Sequence, residues 1–115
     1  MKKLLLFAVL IAALTTIPRA HAQGNGWAMN CISTSNDRNG TVTIENGCPF
    51  QIHYYWIPFN QPNNHYNNYL DSGSSDTFRP NGGYRLYACD AGYYVVGPDG
   101  RVITHLVDNF SCVKK

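Results

Sequence analysis

The stretch Thr41-Val-Thr-Ile-Glu-Asn-Gly-Cys-Pro-Phe50-Gln-Ile-His-Tyr-Tyr-Trp-Ile57 decides the fold. Its first half sets Val42 and Ile44 against Thr41, Thr43 and Glu45. Its second half puts Phe50, Ile52, Tyr54 and Trp56 on one side, with Gln51, His53 and Tyr55 on the other. Period-two alternation of β-branched and aromatic residues is the pattern of a strand with one buried face. Tyr54 and Trp56, in line with Phe50 and Ile52, are expected in the core.

The same reading extends outward. Residues 84–89 set Tyr84, Leu86 and Ala88 against Arg85, Tyr87 and Cys89, and 93–96 are Tyr-Tyr-Val-Val. Residues 101–106, Arg-Val-Ile-Thr-His-Leu, read as another strand, and weaker ones are expected over 27–34 and 75–79. Turn residues punctuate these runs: Asp37-Arg38-Asn39-Gly40, Asn81-Gly82-Gly83 and Gly97-Pro98-Asp99-Gly100. Helical periodicity and internal repeats are absent from residue 23 onward. Six or seven short strands separated by turns predict an all-β domain, an antiparallel sandwich or a small barrel, of which the small antiparallel β-sandwich is the expected fold.

Pro58 to Gly83 breaks the pattern. Asn60, Asn63, Asn64, Asn67 and Asn68 crowd a polar segment that still holds Phe59, Tyr66, Tyr69 and Leu70. A structureless loop of that length is unusual in a small domain. It is expected to be a functional loop, or to hide a short strand near Thr77-Phe78.

The start of the chain reads as a secretory leader of bacterial type. Lys2 and Lys3 precede the unbroken apolar run Leu4–Leu14, Pro18 follows, and Ala20-His21-Ala22 offers a cleavage site. That run is too short to span a bilayer. Residues 1–22 are therefore expected to be removed, leaving 23–115 as one secreted or periplasmic domain with no membrane insertion. Of nine Lys and Arg, Lys2, Lys3 and Arg19 belong to the leader, so six remain against seven acids. A net charge of −1 lacks the basic footprint of a nucleic-acid binder. A domain this small also excludes Rossmann and TIM-barrel enzymes.

Cys31, Cys48, Cys89 and Cys112 make an even set in a small exported chain, which reads as two disulfides. Gaps of 17, 41 and 23 residues (48 − 31, 89 − 48, 112 − 89) do not suit a zinc site built from close pairs. Four cysteines allow three pairings.

Thr41-Val-Thr-Ile-Glu-Asn-Gly-Cys48-Pro49-Phe50 resembles the opening strand of thaumatin-like proteins, where an apolar strand runs into Asn-x-Cys-Pro and an aromatic residue. Trp56 is suitably placed, Leu70-Asp-Ser-Gly73-Ser-Ser-Asp-Thr-Phe78 resembles that family's turn into its next strand, and Tyr84–Cys89 matches the strand after it. The resemblance covers residues 41–89, about half of the mature chain. It implies a secreted β-sandwich, and it implies the pairs Cys48–Cys112 and Cys31–Cys89. The chain is under half the family's usual size and lacks its dense disulfide set. Its acidic cleft maps onto no residues here, so no glucan-cleaving or antifungal role follows.

The chemistry on offer is aromatic and amidic. Sugar-binding surfaces lay aromatic faces on C–H patches and present amides to hydroxyls, and protein interfaces favour the same aromatics. The candidate ligand-binding residues are His53 and Tyr55, on the face opposite the core, with His65, Tyr66 and Tyr69 in the loop. His53, His65 and His105 follow no metal-ligand spacing, and Asp71-Ser72-Gly73-Ser74 reads as a turn rather than a serine-nucleophile loop. Asn39-Gly-Thr41 and Asn109-Phe-Ser111 are glycosylation sequons that a bacterial export route leaves unused.

The expected function is a monomeric, non-enzymatic binding module with no cofactor or metal. Its partner is a glycan or an extracellular or envelope protein, held at the 58–83 loop. The alternatives are a secreted effector or enzyme inhibitor acting on a protein, and, more remotely, a small histidine-dependent hydrolase.

Overall fold

The alternating stretch forms two strands of a computed structural model that describes residues 25–115. The expected leader lies outside them. Eight strands run through the described residues: β1 (Ile32–Asn36), β2 (Val42–Asn46), β3 (Ile52–Pro58), β4 (Tyr66–Leu70), β5 (Ser75–Phe78), β6 (Tyr84–Asp90), β7 (Tyr93–Val96) and β8 (Ser111–Lys114). They form three antiparallel sheets of order β1-β2-β5, β4-β3-β6 and β7-β8. The fold is all-β. No helix among the described residues is long and apolar enough to cross a membrane.

β4-β3-β6 is the middle layer. Its front face carries Ile52, Tyr54, Leu70 and Ala88, which pack with Val42 and Ile44 of β2 and Phe78 of β5. Its rear face carries Tyr55, Ile57, Tyr87 and Cys89, which pack with Val95 of β7 and with Ile103. The front is the sandwich that the alternation predicts. The rear adds a second core behind the same sheet, roofed by the β7-β8 ribbon and by Leu106, Val107 and Phe110 of the connection between those strands.

This second core corrects one expectation. The side of β3 opposite Phe50, Ile52 and Trp56 is not open: His53 is 9% exposed and Tyr55 6%. A central strand covered on both faces can still alternate when tyrosine and histidine fill one side, because each has an apolar body and a polar tip. Tyr87 illustrates this. Its hydroxyl donates to the Val107 carbonyl and accepts from the Val107 N–H at 3.1 Å, tying the irregular roof to β6.

Two strand assignments also change. Residues 101–106 contribute only a Val96–Val102 bridge beyond the Gly97–Gly100 turn, and Ile103 instead drops into the rear core. The 58–83 segment is no long loop, since it contains β4 and β5. β4 is polar in composition because it is an edge strand exposed except at Leu70. The expected strand at 75–79 and the Asp37–Gly40 hairpin turn are present, with Gly40 at φ 82° supplying the left-handed residue the turn needs.

The disulfides are Cys31–Cys48 and Cys89–Cys112. The pairs Cys31–Cys89 and Cys48–Cys112, implied by the resemblance, are wrong. The β1–β2 register opposes Ile32 to Asn46, which brings Cys31 beside Cys48 at the open end of one hairpin. Cys31 and Cys48 belong to the front core, Cys89 and Cys112 to the rear, so the middle sheet separates the implied partners.

Asn46 locks the front together. Its buried amide donates to the carbonyls of Phe50 at 3.0 Å and Leu70 at 2.9 Å, and its Oδ1 accepts the Cys48 N–H at 2.9 Å. One side chain thus joins the end of β2, the approach to β3 and the end of β4.

Candidate ligand-binding site

The five candidate residues fall on both sides of the middle sheet. The β3–β4 register opposes His53 to Tyr69 and Trp56 to Tyr66. Tyr66 and Tyr69 are three apart on one strand, so alternation sends them to opposite faces. The sequence grouped them because they share a segment; the strand separates them.

The rear group holds His53, Tyr55, His65 and Tyr69. His53 stacks on Tyr69 with ring centroids 4.1 Å apart and planes inclined by 12°, and it lies 4.8 Å from the Tyr55 ring. His65 sits further out, 6.1 Å from Tyr55. His53 Nε2 lies 3.0 Å from Asn67 Oδ1, an acceptor, so the ring proton belongs on Nε2. Burial pushes the His53 pKa down; the Asn67 hydrogen bond opposes that shift, and the Lys115 charge adds to it. His53 is thus stacked on Tyr69 in surroundings that favour its neutral form. The Lys115 ammonium caps this side, 3.1 Å from the Tyr69 hydroxyl and 5.3 and 5.4 Å from the centroids of Tyr69 and Tyr94.

The front group is a ladder of rings. Tyr66 stacks on Trp56 at 4.4 Å, Trp56 stacks on Phe78 at 4.5 Å, and Tyr84 meets Phe78 edge-on at 5.3 Å. Phe78 is buried and Trp56 half-buried, while Tyr66 remains 43% exposed at the top. The outermost ring is therefore held flat by a rigid column that reaches the front core.

Beside Tyr66 lies a hollow of about 100 Å³ whose polar lining includes Asn60, Gln61, Arg79 and Asn81. Gln61 Oε1 accepts from Asn64 Nδ2 at 3.0 Å and from the Tyr66 hydroxyl at 3.5 Å, fixing the amide next to the ring. Asn60 Nδ2 donates to the Asn81 carbonyl at 3.5 Å, and Arg79 Nε donates to Thr41 Oγ1 at 3.1 Å. Asn81 adopts φ 53° in the turn before Gly82, which sets its backbone at the rim. Tyr66, Trp56, side-chain amides and the Arg79 guanidinium thus border one small, mostly polar hollow.

Trp56, Gln61, Arg79 and Asn81 are not among the candidate ligand-binding residues that the sequence offers. Trp56 read as core, and Arg79 and Asn81 lie beyond the aromatic cluster in the chain. The signal that points to them is the hairpin pairing that folds residues 58–65 toward 79–83, seen in the Phe59 N–H donating to the Gly83 carbonyl at 2.9 Å.

The remaining candidates have structural partners. The Ser72 hydroxyl donates to the Cys48 carbonyl, and the Ser74 N–H donates to the Asp71 carbonyl at 3.0 Å, as in the expected turn. His105 contacts Thr104 on the exposed roof. Among the described residues no group of three or more His, Cys, Asp and Glu side chains is placed to hold a metal ion. No family model, curated protein or solved structure matches the chain.

Proposed function

We propose that the protein is an exported, non-enzymatic glycan-binding module whose sugar subsite is the Tyr66 ring and the hollow beside it. The observation that carries this reading is the Tyr66–Trp56–Phe78 column, which leaves Tyr66 exposed at its end beside the hollow bordered by Asn60, Gln61, Arg79 and Asn81. A sugar ring would lie on Tyr66 through its C–H face and turn its hydroxyls to the amides and the guanidinium. Binding of this kind gains from preorganisation, because the stacked rings lose little freedom when the ligand arrives. Export suits the two disulfides, which persist in oxidising compartments.

The rear residues His53, Tyr55, His65 and Tyr69 take no part in this subsite. They support the strand pair that carries Tyr66. The test is an array of peptidoglycan fragments, lipopolysaccharide and defined oligosaccharides probed with the oxidised protein. Tyr66→Ala is expected to weaken any glycan signal at least tenfold, the loss of about one aromatic stacking contact with its orientation. Tyr69→Ala is expected to change it less than twofold. A glycan signal insensitive to Tyr66→Ala would overturn the assignment.

A further inference from the structure

Every open sheet leaves outward N–H and C=O groups along its edges, and proteins blunt them. Two edges here are blunted by one device. The bonds from Phe59 N–H to Gly83 O and from Ala91 N–H to Gln51 O, both 2.9 Å, set the phase of the middle sheet. In that phase His53 and Tyr55 bond toward β6, Ile52 and Tyr54 toward β4, and the Tyr69 N–H points outward. The preceding side chain covers it: Asn68 Oδ1 accepts the Tyr69 N–H at 2.9 Å. On β5 the outward Thr77 N–H is covered by Asp76 Oδ1, again at 2.9 Å.

The outer edge of β6 is treated differently. There the outward groups belong to Tyr84, Leu86, Ala88 and Asp90. Gly26–Ala28 adds as a short strand at the far end: Trp27 bridges Cys89, and the Asp90 N–H donates to the Gly26 carbonyl at 2.8 Å. The chain then turns away, with the Cys31 N–H donating to the Ala28 carbonyl at 3.2 Å. No strand among the described residues continues along Tyr84 and Leu86. The residues before them, Gly83 and Arg85, have no side-chain acceptor. Along this stretch runs an open groove of about 620 Å³, lined by Met29, Phe59 and Leu86 and by Thr34 and Asn36 of β1.

We propose that the β6 edge at Tyr84–Leu86 is a strand-acceptor site. Its occupant is an extended segment of a partner polypeptide, antiparallel to β6 and in line with Gly26–Ala28. Two points specify that occupant. Outward N–H and C=O groups at every second residue call for a main chain. The protein's own Gly26–Ala28 already satisfies the next pair of positions on the same edge in the same way. Alternate side chains of the segment would enter the groove against Met29, Phe59 and Leu86, which calls for apolar residues there. The site shares no residue with the Tyr66 subsite, so either one can fail alone.

The device found on β4 and β5 supplies the test. Arg85→Asn places an amide acceptor immediately before Leu86, as Asn68 stands before Tyr69. A phage-displayed library of linear 12-residue peptides would be panned on the oxidised protein, with the amide resonances of Tyr84 and Leu86 as the structural readout. The expected result is enrichment of peptides with apolar residues at alternate positions. These should shift both amides and bind the Arg85→Asn variant about fivefold more weakly than Arg85→Ala, the loss of one main-chain hydrogen bond. Comparing two variants of one residue removes the effect of losing the arginine, and equal thermal midpoints show that both are folded. An empty selection would overturn the proposal. So would binders that leave the Tyr84 and Leu86 amides unmoved, or equal affinity for the two variants. Concentration-dependent shifts of these amides without peptide would also overturn it, in favour of a second copy of the chain.

Discussion

The two faces of the middle sheet solve the same packing problem with different residues. The front covers Ile52, Tyr54 and Leu70 with a regular three-stranded sheet and closes its corner with the fully bonded amide of Asn46. The rear covers Tyr55, Ile57 and Tyr87 with a two-stranded ribbon and an irregular roof, and fastens that roof by the Tyr87 hydroxyl and the Cys89–Cys112 bridge. The front is held by backbone ladders and apolar burial. The rear depends on single tethers. A face with few ladders is expected to open locally before the whole molecule unfolds.

The largest effect that would break this comparison lies at Asn46. Asn46→Leu leaves the carbonyls of Phe50 and Leu70 and the N–H of Cys48 without partners in a buried corner. A loss of about 3–5 kcal/mol is expected in denaturant titration. A loss below 1 kcal/mol would show that the front does not depend on this amide.

Removing the rear bridge with Cys89→Ser and Cys112→Ser is expected to cost about 2–4 kcal/mol. Loops of 17 and 23 residues differ by only about 0.3 kcal/mol in closure entropy, so the contrast between the two bridges must come from packing. Hydrogen exchange should show β7 and β8 opening in this variant while β2 and β3 stay protected. Uniform loss of protection would erase the distinction between the faces.

Tyr87→Phe removes both bonds to Val107 while keeping the ring. A cost of about 1–2 kcal/mol is expected in thermal or chemical melts, with faster exchange in residues 103–110.

The smallest effect is the pH response. The fold lowers the His53 pKa, so the unfolded chain takes up that proton more readily; the resulting destabilisation is absent above the ordinary value of 6.5 and grows as pH falls below it. Burial raises the Tyr54, Tyr55 and Tyr87 pKa values, with an added contribution from Asp76 at Tyr54. Their contribution is complete below the ordinary tyrosine value of 10.0 and is lost above it. Melts across pH should therefore decline on both sides of a plateau, and His53→Asn should flatten the acid side by less than about 1 kcal/mol. An unchanged acid limb in that variant would place the titration elsewhere.

How much of this was legible in the sequence follows the same division. The front strands were readable because Val42, Ile44, Ile52 and Tyr54 alternate and the turns carry Gly and Asn where those are needed. Of the rear, the strand at 93–96 was readable, but the covering of the middle sheet was not, because a roof completed by isolated Ile103 and an irregular connection has no period. β4 escaped notice because Tyr-Asn-Asn-Tyr-Leu buries only its last residue, which is what an edge strand requires and what a polar loop also looks like. Of the site, the aromatic and amide composition was visible. The side of the sheet each ring occupies depended on the β3–β4 register, which no local signal sets.

The proposed sugar subsite is tested most directly by the emission of Trp56, on which Tyr66 stacks. In a Trp27→Phe background Trp56 is the sole tryptophan of residues 23–115. Titration with peptidoglycan fragments and the oligosaccharides of the array is expected to give a saturable change in that emission for at least one glycan, abolished by Tyr66→Ala. Flat titrations across the panel, or a saturable change that survives Tyr66→Ala, would contradict the account.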